Sequence, residues 1–241
     1  MSNFRRRDLL AGTALVLIGR AARAGLIAGH LPWAPAAEPV PASAPPGSWL
    51  FFTPAEAAMV ETLADRIIPP DPQTPGGKAA GCTEFIDRQL SGPYGRHEGL
   101  YNRPPFTKGS KQQGPQSAKG PAELYRSTLA ALDRYCRAQP GGKSWLELGA
   151  DRQDEILRGL EASTLELEGA DGKTFFEELL KDVQQGFFAD PIYGGNRDMC
   201  AWKMIGFPGA HYDYRDWVGR HNERYPNPPV SIAGRPGWTP T

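Results

Sequence analysis

Histidine is where chemistry is first sought in this chain, because an imidazole can ligate a metal or move a proton near neutral pH. Of the four histidines, His30 falls in the N-terminal region, which leaves His97, His211 and His221. The set His211-x-Asp213 followed by His221 offers nitrogen and oxygen donors to a cation, and an independent exported metal-dependent enzyme using His211, Asp213 and His221 is the alternative it keeps open. No helical HExxH spacing accompanies it, so loop or surface histidines are the simpler account. A serine nucleophile has no support: no GxSxG turn is present, and Ser91, Ser110, Ser117, Ser127, Ser144, Ser163 and Ser231 sit in ordinary contexts. The carboxylate pairs Glu177-Glu178 and Glu166 with Glu168 are expected on solvated positions. GxGxxG and GxxxxGK[ST] are both absent from the sequence, so neither a dinucleotide fold nor a P-loop is indicated.

Cys82, Cys136 and Cys200 are the three cysteines. They are too far apart in sequence for a CxxC ligand pair, which argues against an iron–sulfur or structural zinc site within this chain. One disulfide with a thiol left over and three buried free thiols both remain open.

The most informative short string is Asp190-Pro191-Ile192-Tyr193-Gly194-Gly195-Asn196-Arg197-Asp198. Pro191 pushes Asp190 out of helical geometry, and Gly194-Gly195-Asn196 takes positive φ readily, so a tight turn is expected. Arg197 and Asp198 then point outward or pair with each other. Two readings follow: a self-stapled turn over Trp202, Phe207 and Pro208, or a phosphate-binding nest.

The elements that must position these residues are helical. The chain has 27 basic and 27 acidic side chains, a net charge of zero that argues against nucleic-acid binding. Gly 28 and Pro 24 indicate long loops. Thr53-Pro54-Ala55-Glu56 is a capping box that starts a helix carrying Val60, Leu63, Ala64 and Ile67 and stopped by Pro69-Pro70. Thr83 to Leu90 predicts a second helix. Pro121 to Arg137 predicts a third, with Leu124, Thr128, Leu129, Leu132, Tyr135 and Cys136 on one stripe. Asp151 is expected to cap a fourth bearing Ile156, Leu157 and Leu160. Thr174 begins a fifth, which Gly186 and Pro191 break. No run has the period-2 alternation of strands, so the expectation is an all-α domain of about five helices with long irregular Gly/Pro/aromatic-rich loops. Residues 92–120 show neither period and read either as an arm docking on a partner through Tyr94, Tyr101 and Phe106, or as a mobile insertion.

The N-terminus reads as an address. Arg6-Arg7-Asp8-Leu9-Leu10 fits a twin-arginine export signal, with Arg6, Arg7, Leu9 and Leu10 as its key residues. The apolar run after it is shorter than the roughly 20 residues needed to span a bilayer. Ala22-Arg23-Ala24, Ala34-Pro35-Ala36 and Ala42-Ser43-Ala44 are alternative cleavage sites. This divides the chain into a signal over 1–36, a Pro/Ala-rich linker over 37–48 and a helical domain over 49–241.

FFTPAEAAMVETLADRIIPPD, AAGCTEFIDRQL, the helix from Asp151 to Leu160 and the cassette GFFADPIYGGNRDMCAWKMIGFPGAHYDY from Gly186 to Tyr214 together resemble the gluconate 2-dehydrogenase subunit 3 family. Cys82 stands where an aliphatic residue is expected after AAG. The resemblance implies a non-catalytic small subunit, with no catalytic or cofactor-binding residue of its own. Its implied partners are a large FAD-containing dehydrogenase of the glucose–methanol–choline type and a multi-haem cytochrome c, with FAD, an iron–sulfur cluster and haem c all residing in those subunits. It further implies a periplasmic location with membrane association through the complex, and twin-arginine export of both subunits on this chain's signal. Tyr94, Tyr101, Phe106, Tyr193, Arg197 and Trp202 are the candidate interface anchors.

Overall fold

Thr53 opens the first helix as expected. Its hydroxyl accepts from the Glu56 amide at 3.3 Å while the Glu56 carboxylate accepts from the Thr53 amide at 2.8 Å, so two backbone donors that no helical carbonyl can reach are both satisfied. Thr53→Ala is expected to lower stability by about 1 kcal/mol, read from the urea midpoint.

A computed structural model describes residues 48–100, 104–107, 109–113, 117–211 and 214–233. Arg6, Arg7, Leu9, Leu10, Tyr101 and Asp213 lie outside the described residues. Within them are six α-helices: α1 (Pro54–Ile67), α2 (Cys82–Ser91), α3 (Pro121–Ala138), α4 (Ala150–Glu161), α5 (Gly172–Phe188) and α6 (Cys200–Ile205), with short 3-10 turns between. Among the described residues no sheet forms, only isolated bridges such as Gly209 with Val230. No helix among them is long and apolar enough to cross a membrane.

Helix α5 is the central strut, packing against α1, α2, α3, α4 and α6. Its buried stripe of Phe175, Leu179, Val183 and Phe187 recurs every four residues, which places all four on one face. Around it lie Val60 and Leu63 of α1, Ile86 and Leu90 of α2, Leu129 and Leu132 of α3, and Ile156 and Leu160 of α4, all essentially without solvent contact. Trp145, fully buried, donates from its indole to Thr62 Oγ1 at 2.7 Å, and its carbonyl accepts from Gln153 at 3.1 Å. A large aromatic can be buried here because its one polar atom is satisfied.

Several boundaries differ from the sequence reading. Helix α4 is capped by Gly149, and Asp151 sits inside its first turn. Helix α5 starts at Gly172 because the Asp171 carboxylate accepts the Thr174 amide at 3.0 Å, placing the cap ahead of Thr174. Gly186 does not end that helix. It lies inside, where a β-carbon would come within 3.0 Å of the Phe85 ring, so glycine there lets α2 approach α5 closely. The sixth helix, α6, lies in a stretch read as irregular.

Three buried carboxylates tie the non-helical chain onto this bundle. Asp87 of α2 accepts the backbone amides of Leu50, Phe51 and Phe52 at 2.7, 2.9 and 2.9 Å. Asp182 of α5 accepts the hydroxyls of Tyr94 and Tyr125 at 2.9 and 3.0 Å. Asp190 accepts Ser231 Oγ at 2.6 Å and the Ile232 amide at 2.7 Å. Each turns an unpaired buried charge into a node that fixes chain from elsewhere in the sequence.

Asp182 carries a pH consequence. Burial pushes its carboxyl up to about 6, although the two tyrosine hydroxyls pull the other way. Lys181 and Glu178 face it from α5, Tyr94 from the loop and Tyr125 from α3. A carboxyl whose folded value lies above its ordinary 3.8 takes up a proton in the native state before it does so in the unfolded chain. Its contribution therefore favours folding increasingly as pH falls from about 7 to 4, at up to about 1.4 kcal/mol per pH unit. The expected result is that Asp182→Asn abolishes a stability gain on acidification through pH 6. A wild-type minus variant difference that is flat in urea titrations between pH 7 and 5 would refute it.

Candidate partner-binding face

The cassette from Gly186 to Tyr214 is held to the bundle by side chains that the short string Asp190 to Asp198 supplies. Asn196 is fully buried. Its amide nitrogen donates to the Ala189 carbonyl at 2.9 Å, and its amide oxygen accepts the Ala201 backbone N–H at 2.9 Å. One side chain thus closes the turn and starts α6. Asn196, Asp198 and Met199 all have positive φ, a conformation that costs non-glycine residues about 1 kcal/mol or more each and persists because these bonds hold it.

Arg197 is turned inward to the bundle. Its backbone amide donates to Ala80 at 2.9 Å, and its guanidinium reaches the Ala79 carbonyl at 3.2 Å and the Glu84 carboxylate at 2.7 Å. The expected Arg197–Asp198 pairing or outward projection is therefore replaced by a clamp onto the start of α2. The backbone amides of Gly194, Arg197 and Met199 are taken by internal carbonyls, which makes this a self-stapled turn in place of a phosphate nest.

Trp202 lies beneath, 6% exposed, donating to the Phe188 carbonyl at 2.9 Å and meeting the Phe207 ring edge-on at 5.1 Å. Other large side chains of the cassette face solvent: Phe188, Tyr193, Met204, Ile205 and Phe207 are each between 43% and 57% exposed. Large apolar side chains concentrated on a rigid frame mark an interaction surface more often than an ordinary monomer surface. Beside them a groove of about 530 Å³ runs between Trp202 and Phe207 on one side and Arg224 to Pro229 on the other.

Of the candidate anchors, Tyr193 and Phe106 are exposed. Tyr94, Arg197 and Trp202 make their principal contacts within the chain, Tyr94 through Asp182 and Glu178. Glu178 is accordingly half-buried, not the solvated position expected. The base of the 92–120 segment is docked on its own bundle, with the Ala122 amide donating to Gly95 at 3.0 Å, while the described residues from 104 to 113 are exposed wherever their surface is described. Sequence reasoning missed Phe188, Met204, Ile205 and Phe207 as a group. For three of them the signal was there: Met204, Ile205 and Phe207 lie in a stretch with no amphipathic period to bury them, whereas Phe188 closes α5.

The histidine set does not form a site among the described residues, where no group of three or more His, Cys, Asp or Glu is placed to hold a metal. His211 packs against the rings of Tyr214 and Tyr225 at 5.9 and 5.2 Å, and Tyr225 meets Trp217 at 5.1 Å. His221 is exposed. The three cysteines are free thiols. Cys82 is fully buried, its thiol pushed up to about 12 by burial, so it fills the expected aliphatic position as a small hydrophobe.

No curated protein and no solved structure matches the chain significantly. A family sequence model described as gluconate 2-dehydrogenase subunit 3 matches residues 54–209, from the first residue of α1 to five residues short of the end of the cassette, and well over half of the 241 residues. The chain belongs to the gluconate 2-dehydrogenase subunit 3 family.

Proposed function

We propose that this chain is the non-catalytic small subunit of a periplasmic flavin-dependent dehydrogenase acting on a sugar, polyol or gluconate, where it stabilises the large flavoprotein subunit and escorts it through twin-arginine export. The observation that carries this reading is the family match, which covers all six helices and most of the cassette. Family membership gives the coarser statement, a small subunit of a multisubunit dehydrogenase complex. The finer one is supported by Arg6-Arg7-Asp8-Leu9-Leu10 ahead of a short apolar run, and by the absence of dinucleotide and P-loop motifs from the sequence.

In this reading FAD and an iron–sulfur cluster sit in a large subunit of the glucose–methanol–choline type. Haem c sits in a multi-haem cytochrome subunit that links the complex to the membrane. The present chain contributes surface and address.

Co-expression with the large subunit tests the reading. The expected result is that the large subunit alone is recovered in low yield, and that adding this chain raises soluble, flavin-loaded enzyme severalfold as a 1:1 complex. Arg6→Lys with Arg7→Lys is expected to leave both subunits in the cytoplasm, followed by fractionation and blotting. A purified chain that binds flavin and oxidises gluconate, sorbitol or fructose unaided would overturn the reading, as would a large subunit that reaches the periplasm equally well with the doubly substituted chain.

A further inference from the structure

The cassette exposes more large apolar surface than its own fold uses. Trp202 is sealed from below by the Phe188 carbonyl and from the side by the Phe207 ring, yet Phe188, Met204, Ile205 and Phe207 themselves remain open to solvent. Met204 and Ile205 end α6, and Gly206, at φ 71°, turns the chain so that Phe207 follows at once on Trp202. The Phe207 amide donates back to the Trp202 carbonyl at 2.9 Å. The backbone at this corner is thereby tied within the chain, so less of its freedom is left for a partner to remove, which favours conversion of apolar contact into affinity.

The charges around the crest decide what kind of partner it fits. An interfacial membrane surface calls for an apolar face flanked by a cationic cluster. Here Lys203 and Arg224 line the groove beside Trp202 and Phe207, Asp198 and Lys203 both act on Cys200 at the start of α6, and Arg220 faces Glu223 at 3.9 Å. A mixed-sign rim around an aromatic and aliphatic centre matches the anatomy of a protein–protein interface. Family membership supplies the other half of the argument, since a subunit of a dehydrogenase complex has a protein surface against it.

We infer that the crest of Phe188, Met204, Ile205 and Phe207 is the surface on which the large flavoprotein subunit seats. The inference rests on the reading of the chain as a dehydrogenase subunit and adds which face does the binding. The segment of residues 92–120 is not required for it.

The test captures the co-expressed large subunit on tagged chain and measures the dissociation constant by titration. Met204→Asp with Ile205→Asp is expected to weaken association by about 100-fold or more, the size of a central hot-spot loss. Leu146→Asp, exposed on the turn packed against α1 and α3, is expected to change it less than threefold. In the unmodified complex, hydroxyl-radical footprinting read by mass spectrometry is expected to protect Met204 at least fivefold relative to the free chain, which keeps the inference testable even where the double variant fails to fold. Full affinity in a folded double variant, or unprotected Met204 in an intact complex, overturns the inference while leaving the subunit reading standing. A wild-type chain that captures no large subunit overturns both. Dimerisation of the chain alone that the double variant abolishes, or binding to phosphatidylcholine–phosphatidylglycerol vesicles lost in the same variant while the large subunit is still captured, assigns the crest elsewhere and overturns it too.

Discussion

Asp87→Ala is expected to lower unfolding free energy by about 3 to 5 kcal/mol, among the largest effects of any single truncation in the chain. The carboxylate accepts three consecutive amides, from Leu50, Phe51 and Phe52, and hydrogen bonds to a charged group contribute about 1.5 to 3 kcal/mol each, less than additively. Losing them also frees the segment that holds Phe52, 4% exposed and tilted against Tyr125 at 6.1 Å, and that lets Arg126 stack over Phe51 at 4.4 Å. Asp87→Asn is the sharper experiment. The shape is kept and one oxygen can still accept Phe51 and Phe52, but the amide nitrogen meets the Leu50 N–H donor to donor, so about 2 kcal/mol is expected to be lost. Urea denaturation followed by circular dichroism reads both. A loss below about 1 kcal/mol for the alanine variant would mean that the amides of residues 50–52 find water instead.

Gly195→Ala is expected to cost about 3 kcal/mol or more and to loosen the cassette before the bundle melts. A β-carbon there would sit on top of the Gly186 carbonyl, backbone against backbone, with no flexible side chain to yield. Overpacking of that kind costs about 1 to 3 kcal/mol even where side chains can move. Trp202, tied to the Phe188 carbonyl, is the reporter: its hydroxyl-radical labelling, read by mass spectrometry, is expected to rise at lower urea than the helical signal changes. Gly219→Ala, where nothing lies within 4 Å of the added atom, is the control and is expected to stay within about 0.5 kcal/mol of wild type. Equal midpoints for the two variants would show that the two strands of backbone are not in contact.

The helices were legible because their signals are local. A capping box, a 3.6-residue apolar period and a terminating proline or glycine need no knowledge of the rest of the chain, and α1, α2 and α3 fall within a residue or two of where those signals place them. Gly186 was misread for the converse reason. A glycine that ends a helix and a glycine that lets a neighbouring helix come close are the same letter, and only the position of Phe85 tells them apart. Arg197 and Asp190 were singled out from sequence, but their partners, Glu84 in one case and Ser231 with Ile232 in the other, lie too far along the chain for any spacing rule to connect. Aromatic content drew attention to Tyr94 and Trp202, whereas the exposed surface is carried as much by Met204 and Ile205. Residue type reports the capacity to be buried, and tertiary contact decides which residues use it.

The clamp between Arg197 and the start of α2 bridges residues 113 and 118 positions apart. A contact of that span closes a long loop, and its entropic cost is met only after the intervening helices have already drawn the ends together. The crest on α6 is therefore expected to form late in folding, after α2 and the helices between it and Arg197 have come together. A half-made or misassembled chain would display its helices but not its docking face. Binding to a partner through that face then works as an inspection step, admitting to the complex only copies that have finished folding.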